Sequence, residues 1–406
     1  MAPNMAQRRI VLRPNSWPLI ALLSALMAFG PISTDLYVGT FPAIADAFGT
    51  SVSEAQLTLT SFLIGVGVAQ LFVGALSDRF GRRPVLIAGL LLYGICAVAC
   101  ALATSITELV VLRLFQAFGS CTPVVLSRAI IRDLHERSDS ARVLGYVGGF
   151  MGTVPIVAPI LGSYAVVWFD WSATFWFMVA YCVVVFVAIL ICMQETLSPE
   201  HAERFSINQV IFSFSRVLTS RNALTYGTPY CFVYAGMFGL FTGFAFVVEE
   251  ILGHPRETLG IFFGIILTGY MVGAIAVGRL SRQVEIAALF RVATYLAAGS
   301  ALAMLTGVVA GTLHITMFVA PMFVYLLAVG LINPIGLALV LAPFPEIAGK
   351  TSALLGFMQM LFAATASLLV SGLHDDTAMP ATIVVAVSGV MVAVSHALLR
   401  RNASGG

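Results

Sequence analysis

Two ionisable side chains, Asp35 and Arg113, lie inside long apolar segments rather than in the polar stretches between them. A charge at the centre of a bilayer costs roughly 2.5–3.5 kcal/mol on insertion scales, so each is expected to face a polar cavity or a partner. Burial favours the protonated acid and a nearby arginine favours the carboxylate, so changes in hydration or pairing can load and release a proton at Asp35. Arg113 cannot exchange protons at physiological pH, and its expected role is to tune the field there. The alternative is a structural ion pair, or an Asp35 nearer the outer surface.

A charged turn rich in glycine separates the second and third apolar segments. Acids and arginines beside the hydrocarbon boundary are costly to bury unless they pair, so this density of charge predicts a gating element at the cytoplasmic face. The residues assigned to it are Gly74, Asp78, Arg79, Gly81, Arg82 and Arg83.

The fifth apolar segment is dense in glycine and proline. Small residues let helices approach closely and prolines bend them, which predicts either a hinge and seal or ordinary membrane packing. The gating candidates here are Gly152, Pro155 and Pro159.

Polar and aromatic side chains within the apolar segments are candidates for substrate binding. The seventh segment is unusually aromatic and would suit flat, lipophilic ligands, although packing is the commoner explanation of such a stripe. The polar members fit interhelical hydrogen bonds worth on the order of 1 kcal/mol equally well. The candidates are Asp35, Tyr37, Gln116, Ser120, Tyr234, Phe238, Asn333 and Gln359.

The composition places most of the chain in a membrane. Of 406 residues, 59% are apolar and 10% charged, against roughly 45–50% and about 25% in soluble domains. A helix needs around 20 mainly apolar residues to cross a hydrocarbon core of about 30 Å, and the alternation of a β-barrel is missing. The predicted spans lie near 17–40, 52–76, 83–104, 107–130, 142–167, 172–193, 222–248, 258–280, 287–311, 314–341, 350–373 and 379–399.

The longest polar interruption divides these spans six and six. We therefore predict an all-α integral membrane protein with twelve transmembrane helices in two pseudo-symmetric six-helix bundles around a central cavity. The N-terminal bundle covers 1–195, a cytoplasmic central loop covers 196–221, and the C-terminal bundle covers 222–406. A faint repeat supports two related halves: Val73, Gly74, Leu76 and Ser77 recur as Val277, Gly278, Leu280 and Ser281.

The distribution of arginine and lysine predicts the orientation and the partners. With both termini cytoplasmic, the basic loop residues lie inside and only Arg256 lies outside. The net charge of +2 is then explained by topology, and no nucleic-acid partner is expected. The six cysteines fall inside spans without metal-site spacing, so no metal and no cofactor are expected. The expected partners are a small-molecule substrate and the lipid bilayer, and the expected state is a monomer.

Several of these motifs resemble those of a known family. The turn 74–83 resembles the cytoplasmic signature between helices two and three of the major facilitator superfamily. Residues 33–37 followed by 41–43 are similar to the first-helix signature of the bicyclomycin-resistance (Bcr/CflA) drug exporters. Further matches are Arg113 with Gln116 in helix four, Ala158, Pro159 and Gly162 in the antiporter motif of helix five, and Gly349, Thr351, Ser352 and Ala353 before helix eleven.

The resemblance implies a proton-coupled secondary transporter in the bacterial inner membrane. It would export amphipathic small molecules, antibiotics or metabolites, by alternating access, with protons as the coupling ion. Asp78 would hold an inner gate through neighbouring positive charge and a helix N-terminus, and release it when Asp35 is protonated. An importer or uniporter of a small polar nutrient is the alternative. An integral membrane enzyme is not expected, because the sequence shows no nucleophile, metal cluster or cofactor loop.

Overall fold

The computed structural model describes residues 16–134, 143, 146–147, 153–197, 214–281 and 283–401, and its regular structure there is entirely helical. The N-terminal half contains α1 (Trp17–Asp35), α2 (Phe41–Phe48), α3 (Val52–Phe80), α4 (Arg82–Ala101), α5 (Ile106–Leu134), α6 (Val154–Trp168) and α7 (Ser172–Cys192). The C-terminal half contains α8 (Arg221–Phe246), α9 (Arg256–Leu280), α10 (Ile286–Val309), α11 (Ile315–Leu341), α12 (Ala348–Gly372) and α13 (Met379–Arg401). A π-helical turn, Val247–Ile251, follows α8.

The helices confirm the predicted class of an all-helical, multi-pass membrane protein. Within the described residues, eleven spans are long and apolar enough to cross a bilayer, with Trp17–Phe48 counted as one. The twelfth is α6, which is apolar but has only 15 residues. The first part of the predicted fifth span lies largely outside the described residues, and so does Gly152. The predicted division into bundles at 195 and 222 remains a prediction.

The first span differs from the single helix expected over 17–40. α1 ends at Asp35, a 3₁₀ turn covers Val38–Thr40, and α2 begins at Phe41. Two features favour the break: Pro42 suits a helix start, and α6 crosses α1 so closely that a Cβ at Gly162 would overlap the carbonyl oxygen of Leu36. Asp35 therefore lies at the end of a helix, within the span but not in the middle of a helix.

The two halves meet along two helix pairs. α3 packs against α12, and α6 packs against α9. The second contact is tight, because a Cβ at Gly260 would lie 2.5 Å from the carbonyl oxygen of Pro159. Pro159 thus belongs to a close contact between the halves, while Pro155 lies in the first turn of α6.

Hydrogen bonds between the halves cluster at the end where α3 begins and α12 ends. On the predicted orientation we call this the outer end. The amide nitrogen of Gln56 donates to the carbonyl oxygen of Thr242 at 2.9 Å. The hydroxyl groups of Thr60 and Ser367 are hydrogen-bonded at 2.7 Å. The outer end is therefore closed in this structure.

Candidate functional site

Arg113 is completely buried on α5 and makes no ion pair with a carboxylate in the described part of the chain. Its guanidinium donates to Oε1 of Gln116 at 2.7 Å and to the carbonyl oxygen of Ser33 at 2.9 Å. Two aromatic rings cover its faces, with centroids 4.3 Å (Tyr37) and 4.2 Å (Phe62) from Cζ. Neutral acceptors and ring faces thus replace water around this cation, and its positive charge is not cancelled.

Asp35 lies on α1 between two residues that contact Arg113, but it does not pair with this arginine. Its side chain accepts one hydrogen bond, from the hydroxyl of Thr34 at 2.8 Å. Among the described residues it is the only aspartate or glutamate that is buried, with 5% of its surface exposed. Ser33 and Tyr37, two positions before and after Asp35, are among the residues that contact Arg113. A backbone shift of α1 would therefore alter Asp35 and Arg113 together.

Three predicted substrate-binding residues of the N-terminal half are buried by contacts within the protein. The hydroxyl of Tyr37 is hydrogen-bonded to that of Thr58 at 2.6 Å. Gln116 accepts from Arg113, and Ser120 donates to the carbonyl oxygen of Phe29 at 3.2 Å. In this state they orient Arg113 and join α5 to α1, and their role in binding stays a prediction.

The C-terminal half contains a second polar cluster, which we call the tyrosine–amide cluster: Tyr230, Tyr234, Tyr270, Asn333 and Gln359. The amide nitrogen of Asn333 donates to the hydroxyl oxygens of Tyr234 at 2.9 Å and Tyr270 at 2.8 Å. Gln359 lies beside the hydroxyls of Tyr230 and Tyr234. The structure thus brings three predicted binding residues together, Tyr234, Asn333 and Gln359.

Phe238 has a different environment from these polar residues. It is 6% exposed and packs against Tyr234 and Phe241, with ring centroids 6.3 Å and 5.3 Å away. Its neighbour Phe241 in turn packs against Phe263 of α9. Most of this aromatic stripe is therefore interior packing of the C-terminal half, and Phe238 supports Tyr234.

The charged turn is organised around Arg82, which is nearly buried. Its guanidinium donates to Oδ2 of Asp133 at 2.9 Å, to the hydroxyl of Ser77 at 2.6 Å and to Oδ1 of Asp78. The predicted pairing of Asp78 with neighbouring positive charge is present. Asp133 of α5 is a second acid that the sequence did not single out.

The helix N-terminus at this turn is occupied by Glu195, not by Asp78 as the resemblance implied. Its carboxylate accepts from the backbone N–H groups of Arg82 at 2.9 Å and Arg83 at 3.1 Å, the first residues of α4. Partial burial raises the pKa of this carboxyl, but these donors and the N–H groups of Thr196 and Leu197 outweigh it, so the pKa lies below its ordinary value.

The other predicted gating residues have simpler surroundings. Gly81 has a φ of +97°, a conformation that favours glycine, and it lets α4 start directly after α3. Arg79 lies over the ring of Phe80, and Arg83 donates to the carbonyl oxygen of Leu190 at 3.3 Å. A Cβ at Gly74 would meet nothing within 4 Å, so this glycine is not required by packing in this state.

Comparison with known proteins identifies the family. A sequence model of the Major Facilitator Superfamily matches residues 19–367. The chain belongs to this superfamily. It is therefore a membrane transporter and not an enzyme.

The transporter has similar relatives over most of its length. An uncharacterised MFS-type transporter of Bacillus subtilis, YdgK, is 30% identical over 376 residues, 92% of this chain and 93% of the relative. The bicyclomycin resistance protein homolog of Haemophilus influenzae is 26% identical, covering 89% and 90%. Multidrug resistance protein D of Escherichia coli is 27% identical, covering 84% and 85%. These relatives confirm the resemblance to the Bcr/CflA-type members of the superfamily.

Solved structures show that the transporter has the fold of the superfamily. A D-xylose–proton symporter superposes with a TM-score of 0.73 at 16% identity, covering 95% of this chain and 97% of that one. The xylose transporter XylE of Escherichia coli, in a partially occluded inward-open conformation, gives a TM-score of 0.69 at 15% identity, covering 95% and 96%. At these identities the likeness concerns the fold alone.

Proposed function

We propose that this transporter is a proton-driven exporter of amphipathic small molecules. It works by alternating access in the bacterial inner membrane, with both termini in the cytoplasm and protons as the coupling ion. The observation that carries the proposal is the environment of Asp35. Its carboxyl is buried at the end of α1 and has a single hydrogen-bond partner, and the nearby residues Ser33 and Tyr37 contact Arg113.

The surroundings of Asp35 suit a group that changes its protonation during a cycle. A carboxylate without a cationic partner is expensive to bury, so its charge depends on whether water reaches it. Arg113 is held by neutral groups and adds a constant positive field. Because the helix ends at Asp35, a movement of the short segment between α1 and α2 can expose or cover the carboxyl without unwinding a continuous helix.

The arrangement of the two ends supports alternating access. The outer end is closed by hydrogen bonds between the halves. At the turn between α3 and α4, by contrast, Asp78 pairs with Arg82 of the same half. The ion pair at the inner turn thus lies within the N-terminal half, whereas the bonds at the outer end join the two halves. Opening outside requires the outer bonds to break, and Asp78 is then proposed to help close the inner end.

The direction and substrate class rest on the relatives. Two of them have names that refer to resistance to bicyclomycin or to multiple drugs. The tyrosine–amide cluster offers both aromatic and polar surface, as an amphipathic compound would need. Export of such compounds is therefore preferred here over import of a polar nutrient.

The test uses purified protein in liposomes with an imposed proton gradient and a panel of antibiotics and amino acids. We expect gradient-driven movement of an amphipathic compound that is lost in Asp35→Asn. Asp375→Asn is the matched control, because Asp375 is an exposed acid bonded to Thr377 in the loop before α13. Equal, gradient-independent movement in the wild type and Asp35→Asn would mean a facilitator and would overturn the proposal.

A further inference from the structure

We propose that the tyrosine–amide cluster, together with Arg128 of α5, binds the carboxylate end of a substrate that has an aromatic or apolar body. This deepens the proposed function by naming the class of compound, and it rests on that function. Four observations lead to it: an unpaired cation, a buried donor with only weak hydrogen bonds, tyrosine hydroxyls that already accept, and the lack of an acid in the cluster.

The cation is Arg128, which is exposed although α5 packs against helices of its own half. Its charge acts on the hydroxyl groups of Tyr230, Tyr234 and Tyr270, which belong to the other half. No carboxylate lies within ion-pair distance of it among the residues that the structure describes. The space between Arg128 and the tyrosines is therefore positive and uncompensated.

The buried donor is the amide nitrogen of Gln359. This residue is only 6% exposed. Its side chain interacts with the hydroxyls of Tyr230 and Tyr234, but Nε2 reaches the full geometry of a hydrogen bond to neither of them. An unsatisfied buried donor costs about 1–3 kcal/mol, so a donor with only weak hydrogen bonds bears part of this cost, and a ligand acceptor in better geometry would recover it. Because these weak partners are Tyr230 and Tyr234, the donor of Gln359 belongs to the cluster.

The tyrosine hydroxyls add further donors. The oxygens of Tyr234 and Tyr270 both accept from Asn333, which leaves their O–H groups available to donate. The hydroxyls of Tyr234 and Tyr270 are also hydrogen-bonded to each other, which uses one of their two O–H groups. The other O–H group remains for an outside acceptor. No member of the cluster is an acid. A donor-rich, positive site of this kind selects an acceptor with negative charge, and a carboxylate is the simplest one.

The same cluster provides the surface for the apolar body of the ligand. The rings of Tyr230 and Tyr234 are stacked with centroids 5.8 Å apart. Tyr234 and Tyr270 are half-buried, so part of each ring is accessible. A substrate with an aromatic group next to its carboxylate fits both features.

The placement of Arg128 near the cytoplasmic end of α5 also agrees with the positive-inside rule, and the test must separate these two explanations. Arg132 is the matched control. It lies one turn further along the same helix and is also exposed.

The experiment measures binding to the purified, full-length protein in lipid nanodiscs, without a proton gradient, by isothermal titration calorimetry. The probes are 4-phenylbutyrate, 4-phenylbutanamide and 4-phenylbutylamine, which share one apolar body. We expect the carboxylate to bind most tightly and the amine most weakly. Arg128→Gln should weaken carboxylate binding about fivefold, as for a partly screened charge, and should leave amide binding nearly unchanged. Arg132→Gln should change neither.

Two further variants keep the result interpretable. Arg128→Lys retains the charge and should retain the order of the probes, which separates charge from folding. Gln359→Leu should weaken the carboxylate and the amide alike, because both offer an oxygen to Nε2. No detectable carboxylate binding, equal binding of acid and amine, or a preference that survives Arg128→Gln would overturn the proposal. Gradient-driven export lost in Asp35→Asn would still stand in each case, so the two proposals fail separately.

Discussion

Replacing Asp46 by asparagine is expected to make the outer end open more often. Arg256 of α9 donates to Oδ2 of Asp46 in α2 at 2.8 Å and also to Oε1 of Glu249 in the π-helical turn. The bond to Asp46 joins the two halves, whereas the bond to Glu249 lies within the C-terminal half. Asp46→Asn therefore weakens only the contact that must break when the outer end opens.

The size of the effect follows from exposure. The side chain of Asp46 is 71% exposed and that of Arg256 is 34% exposed, so the pair is screened by water. Such pairs contribute about 0.2–1 kcal/mol, which changes the ratio of closed to open molecules about 1.4-fold to fivefold. Arg256→Gln removes the same contact and should change this ratio by a similar factor, but it should also destabilise the C-terminal half, because it leaves Glu249, whose side chain is 15% exposed, without its partner.

The assay is a distance distribution from paired spin labels at Phe169 and Leu373, which are exposed near the outer ends of the two halves. The labels are introduced after replacement of the native cysteines. We expect Asp46→Asn to increase the long-distance population at low salt, and the increase should shrink at high salt as screening removes the wild-type bond. Glu257→Gln, an exposed neutralisation next to Arg256, is the control. A distribution for Asp46→Asn identical to that of the control at low salt would refute the reasoning.

Three further predictions concern single contacts. Glu195→Gln should lower the free energy of unfolding at neutral pH by roughly 1 kcal/mol or less and so lower the melting temperature. Because the pKa of Glu195 is lowered, its contribution is complete above the ordinary glutamate value near 4.3 and is lost as the pH falls through the lowered value. Thermal scans of both proteins should therefore converge in acid, and a constant difference would contradict this. Gly162→Ala should destabilise by about 1–3 kcal/mol, because its Cβ would overlap the Leu36 carbonyl, whereas Gly74→Ala, with open space around it, should be neutral or stabilising. The same scans decide this, and equal melting temperatures would be the contrary outcome. Arg113→Lys should slow gradient-driven transport roughly tenfold, because lysine cannot keep both hydrogen bonds and the stacking between two rings, and a wild-type rate in liposomes would show that charge alone suffices.

The spans were predictable because the bilayer imposes their length and composition. α3 was expected near 52–76 and covers Val52–Phe80, and the repeat at Gly74 and Gly278 does fall at the ends of equivalent helices, α3 and α9. Hydrophobic runs carry this information locally. The break after Asp35 was missed, because an apolar run shows no difference between one helix and two joined by a short turn.

The partners within the site were much less accessible to sequence reasoning. Glu195 caps α4 from 113 residues away, and only the packing of α7 against α4 brings it there. Asp133 reaches Arg82 in the same way, through the contact of α4 with α5. An acid near the end of a span is a weak sign of such a role. Intramembrane charge did single out Arg113 and Asp35, which are both buried, but it did not show that they form no ion pair in the described part of the chain.

The isolation of Arg113 has an electrical consequence. Because no carboxylate in the described part of the chain pairs with this arginine, protonating Asp35 changes the net charge of the buried region without exchanging the partners of an ion pair. Moving one elementary charge through a whole membrane is worth about 2.3 kcal/mol per 100 mV, and a partial movement yields a proportional share. On the proposed mechanism, the voltage dependence of reorientation therefore differs between the protonated and the deprotonated carrier. The membrane potential, and not only the pH difference, then determines which side of the membrane the empty carrier faces.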